Sequence, residues 1–133
     1  MTQVPGEYHN LGWVELQSGD VAAAERMFRL ALDGARDFGL AVVLLYCVFD
    51  FAALAITRGA LGRGAVLAAA AQAALDAPDM APMPDEELQF GPSLRTLREQ
   101  LDPGRLAELT RRGRELSLDA ALSLADHGET VIN

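Results

Sequence analysis

Lysine is absent from this chain of 133 residues, and all eleven basic residues are arginine. This reads first as the codon bias of a GC-rich genome. It also removes the Gly-x-x-x-x-Gly-Lys phosphate loop, whose lysine is indispensable. Cysteine is nearly absent too. Cys47 stands alone, so no internal disulfide can form and no oxidising compartment is implied. Aromatic residues make up only 6% of the chain. Val and Ile are few and scattered, and no run alternates cleanly, which argues against strands. The opening MTQVPGEYHN has neither a basic nor an apolar segment of the kind a secretory signal carries, so a cytoplasmic location is expected.

Half of the residues are hydrophobic, enough for a core, and the two commonest, Ala and Leu, are good helix formers, as are Arg and Glu. The fold class expected is all-α. The formal net charge of −8 repels phosphate and disfavours nucleic acid and anionic membranes as direct partners. The most apolar stretch, LAVVLLYCVFDFAALAI at residues 40–56, is seventeen residues long and contains Asp50. A membrane span needs about 20 apolar residues, so this is expected to be a helix buried by neighbouring helices rather than a membrane helix.

Turn and cap signals divide the chain into about seven helices joined by short loops, which forces antiparallel neighbours. The expected spans are about 6–18, 20–37 (Asp20 as cap), 40–58, 63–76, 85–101, a helix restarting at Asp102-Pro103, and a last one from Ser117 to Gly128. Pro92 predicts a kink or break at Gly91-Pro92. Val21, Ala24, Phe28, Ala31 and Ala35 form the apolar stripe of the second helix.

Tyr8, Leu11, Gly12, Gly19, Asp20, Ala24, Phe28 and Ala31 fall in an order that resembles the tetratricopeptide (TPR) repeat, with Glu15 and Arg36 departing from it. In that reading Gly12 is the close-contact point of a helical hairpin, and Gly19 is its turn. A weaker second copy sets Gly59 against Gly19 and Phe51-Ala52 against Leu-Gly, with Gly64, Ala68 and Ala71 at the small positions. From Gly59 to Ala125 the chain also resembles the C-terminal tail of large bacterial regulators that carry an ATPase module, a helical repeat region and a LuxR-type or adenylate cyclase domain. The carriers of that resemblance are Gly59, Ala65 to Ala74, APMPDEELQF and RRGRELSLDAALSLA. The two resemblances imply antiparallel helical hairpins in a TPR-like right-handed superhelix. One domain would span 1–128: repeat one at 5–38, a degenerate repeat two at 40–76, a Pro-rich loop at 77–84 and capping helices at 85–128, with a frayed tail at 129–133.

The function expected is that of a non-catalytic protein–protein interaction or regulatory scaffold, part of or derived from such a regulator. The TPR register places His9, Trp13 and Gln17 with Tyr46, Phe49 and Ala53 along a concave groove for a protein or peptide. A small-molecule effector in that groove is the alternative. Asp50, costly in an apolar helix unless paired, is expected either to meet Arg26 or Arg29 or to line the groove. An apolar face on the first helix favours a homodimer. Cys47 with His9 or His127 lacks the setting of a nucleophile and base, GALGRG follows no strand, and Asp76, Asp79, Asp85, Glu86 and Glu87 lack calcium-loop spacing. No catalytic residue, metal or cofactor is therefore assigned. Residues 95–114 hold six arginines against three acids, a basic patch that suits an acidic partner or the acidic loop.

Overall fold

The computed structural model describes residues 5–76 and 86–126. These form seven helices: α1 (Pro5–Ser18), α2 (Val21–Phe38), α3 (Ala41–Thr57), α4 (Leu61–Leu75), α5 (Glu86–Gln100), α6 (Pro103–Arg114) and α7 (Leu118–Asp126). The described residues contain no strand. The expected Pro-rich loop at 77–84, His127, the Gly128 stop and the 129–133 tail lie outside them.

The helix ends follow the cap chemistry of the sequence. Asp20 accepts the amide of Ala23 at 3.0 Å. Asp102 accepts those of Gly104 and Arg105, and Ser117 accepts that of Ala120. Each satisfies a first-turn donor that has no partner within the helix. Gly19, Gly39 and Gly59 take φ of 95°, 64° and 84°, left-handed conformations that cost a residue with a Cβ. The chain therefore reverses over two or three residues after α1, α2 and α3.

α1 packs on α2, α2 on α3 and α3 on α4; α6 then lies on α4, and α7 on both α3 and α4. A Cβ on Gly12 would collide with the ring of Phe28, so the close approach of α1 and α2 depends on that glycine. Phe28, Ala24 and Ala31 are fully buried beneath it. α3 is the centre of the molecule. Every residue from Leu45 to Ile56 is buried, which explains its unbroken apolar sequence. No described helix is long and apolar enough to cross a membrane.

The break expected at Gly91-Pro92 is corrected. α5 runs unbroken through Pro92. Proline removes one helical donor, but the ring is exposed, and Phe90 and Leu97 anchor the helix to the core on either side. Those anchors hold the helix on the core before and after the proline.

Candidate functional site

The feature richest in chemistry lies where α1 crosses α3. Asp50, fully buried on α3, faces two α1 side chains one turn apart. His9 Nδ1–H donates to its Oδ2 at 2.6 Å, and Trp13 Nε1–H donates to Oδ1 at 2.7 Å. Both carboxylate oxygens are thus engaged by donors matched to them, as a buried charge requires. The partner is His9, not Arg26 or Arg29. Arg26 is exposed. Arg29 lies 5.3 Å above the Phe51 ring and 3.5 Å from Glu25. Burial pushes the Asp50 carboxyl above its usual range, and the charge and hydrogen bond of His9, then the hydrogen bond of Trp13, pull it back.

An aromatic cage surrounds this cluster, and its lid comes from α5. Phe90 stacks on Phe49 with centroids 4.2 Å apart, lies parallel to Tyr46 at 5.9 Å, and meets Trp13 edge-on at 5.3 Å. His9 lies 6.0 Å from Tyr46 and 6.4 Å from Phe28. Pairs at these separations add about 0.5–1.5 kcal/mol each beyond the area they bury. The inner surface of α1 and α3, where the repeat register places a groove, is thus covered by a helix of the same chain.

The structure places His9, Trp13, Tyr46, Phe49 and Asp50 together inside the core rather than along an open groove, and Ala53 is buried with them. Gln17 alone is exposed. It borders a cleft of about 290 Å³ together with Trp13, Leu16, Ile56, Thr57, Pro92, Ser93 and Thr96. This cleft is the part of the α1–α3 trough that α5 leaves open. Phe90 was not among the expected site residues. Its signal was there in Phe90, Leu94 and Leu97, an apolar stripe at helical spacing across a polar segment.

Cys47 lies one turn before Asp50. Burial, and then the Asp50 charge, push its thiol well above the ordinary range. That is the reverse of what activates a nucleophile. Of the acidic loop's expected partners for the basic patch, only Asp76 lies within the described side chains, 3.8 Å from Arg114.

Among the described residues the large apolar side chains left exposed are Leu11, Val14, Leu30, Phe38, Leu40 and Val42. All belong to the first hairpin, the turn into α3 and the first turn of α3. No known protein family, curated protein or solved structure matches the chain.

Proposed function

We propose that the chain is a non-catalytic helical-repeat module for protein association, part of or derived from a bacterial signal-transducing transcriptional regulator. Its hairpins would continue a TPR-like superhelix whose open end is the outer surface of α1 and α2. One observation carries this reading: every large exposed apolar side chain among the described residues falls between Leu11 and Val42. Terminal units of a helical stack need a polar outer face for solubility. The α1–α2 end lacks one, with Val14 59% and Phe38 73% exposed, whereas the α5–α7 end carries arginines and acids. In a longer stack a preceding hairpin covers such an end; by itself, the chain closes that end on a second copy.

The test is sedimentation velocity over a wide concentration range, for wild type and for Val14→Glu. The wild type should sediment as a dimer at micromolar concentration, and the variant as a monomer of unchanged helix content. A wild type monomeric into the high micromolar range would refute the proposal.

The cleft at Trp13 and Gln17 favours a second reading, in which it takes a small effector. Trp13 is the chain's one tryptophan, so its emission reports occupancy directly. An effector should shift that emission and raise Tm by several degrees.

A further inference from the structure

A second cleft, of about 240 Å³, opens on the opposite flank of α5, where α4, α5 and α6 meet. Each helix gives it one stripe. α4 contributes Ala65, Ala68, Ala69 and Gln72, α5 contributes Leu94, Leu97 and Arg98, and α6 contributes Leu106, Thr110 and Arg114. These are steps of three, four and seven or eight residues, the spacing of a single helix face.

The cleft exists because of two features of the sequence. α4 presents alanines here, which leave space that larger side chains would fill. α6 is pressed onto α4 at Gly113, where a Cβ would collide with the Val66 carbonyl and lie 2.7 Å from the Ala69 Cβ. That contact fixes α6 close to α4 while α5 is held away from both by its own anchors in the core. The result is a slot with an apolar interior and a charged rim.

The rim is cationic. Arg98 has no carboxylate partner among the described residues. Arg114 has only Asp76, at 3.8 Å, the outer limit of an ion pair, and Gln72 also donates to Asp76 at 3.2 Å. In a chain of net charge −8, this corner is where arginines outnumber acids, six to three over residues 95–114. Apolar walls with a few convergent polar groups are the usual composition of a small-molecule site, and guanidinium groups at the rim select a planar anionic head.

We propose that this slot binds an aliphatic carboxylate, its chain against Ala65, Ala68, Leu94, Leu97 and Leu106 and its head between Arg98 and Arg114. The ligand carboxylate takes the place beside Arg114 that Asp76 holds at 3.8 Å. The site does not depend on the association surface proposed above, since α1 and α2 contribute nothing to it.

Titration calorimetry of the full chain with octanoate tests this, with octanol and acetate as probes lacking the head charge or the chain. Octanoate should bind one to one, octanol at least about fivefold more weakly, the scale of one half-exposed ion pair, and acetate more weakly still, since it loses the burial of six methylenes. R98Q and R114Q, both surface changes, should each weaken octanoate by about the same factor. Asp76→Asn should strengthen it by removing the competitor, and Thr110→Trp should fill the slot and abolish binding. Trp13 emission should stay unchanged, which separates this slot from the cleft at Trp13. Octanol binding as tightly as octanoate, or octanoate binding unaffected by both R98Q and R114Q, would overturn the proposal, as would the absence of any octanoate heat.

Discussion

At the scale of single residues, the decisive group is Asp50. A carboxylate at the centre of the most apolar helix is tolerable only because His9 and Trp13 hold both of its oxygens. Removing one member of a buried pair leaves an uncompensated charge or an orphaned donor, at a cost of about 3–5 kcal/mol. His9→Phe should therefore lower the unfolding free energy measured by urea denaturation by that amount at neutral pH. The sign of its pH dependence follows from burial. A carboxyl whose folded pKa is raised stabilises the native state below its unfolded value and loses that contribution as pH rises through the folded value. With His9 gone, burial is less opposed, so His9→Phe should lose stability from about pH 4 upward more steeply than wild type. Equal slopes for the two proteins would exclude the pairing.

Glu25 behaves in the opposite sense. Its hydrogen bond from Arg58 at 2.9 Å, and then the charges of Arg58 and Arg29, outweigh partial burial and hold its pKa below the ordinary 4.5. Its contribution is present above that value and lost as pH falls through the lowered one. The pair is largely exposed, so screening keeps its worth within about 0.2–1 kcal/mol. Glu25→Gln should cost that much at pH 7 and low salt, progressively less as pH falls below 4.5, and almost nothing in molar salt.

Among elements, α5 is the one whose role the sequence hid. The glycine turns, the Asp20, Asp102 and Ser117 caps and the burial of α3 were legible, because each is a local rule of backbone or periodicity. The close approach of α1 and α2 at Gly12 was legible through the repeat register, and the structure adds Phe28 as what meets it. Two things were not. Asp50's partner lies 41 residues away on another helix, and an arginine was the more familiar guess for a buried acid. The covering of the trough by α5 depends on a long-range packing choice, and local propensity argued for a break at Pro92. The same register that brought His9, Trp13, Tyr46 and Phe49 together could not say that Phe90 would close over them. Phe90→Ala should cost about 3–5 kcal/mol in stability, and it should free α5 before the rest of the molecule. Proteolysis under native conditions should then cut first within 86–100 in the variant and not in wild type.

For the whole molecule, the distribution of exposed apolar surface matters more than any single group. The α4–α6–α7 end is closed by tight contacts, including Gly113 on α4 and the bonds from Arg63 to the last carbonyls of α7 at 2.8 and 3.0 Å. The α1–α2 end is not closed in this way. We propose that this end is an association surface, and hydrogen exchange on dilute and concentrated protein tests that most directly. Amides of peptides covering residues 8–16 and 36–43 should slow on concentration, with those of α5 and α6 unchanged. Slowing confined to α5 and α6, or none anywhere at high micromolar concentration, would contradict it.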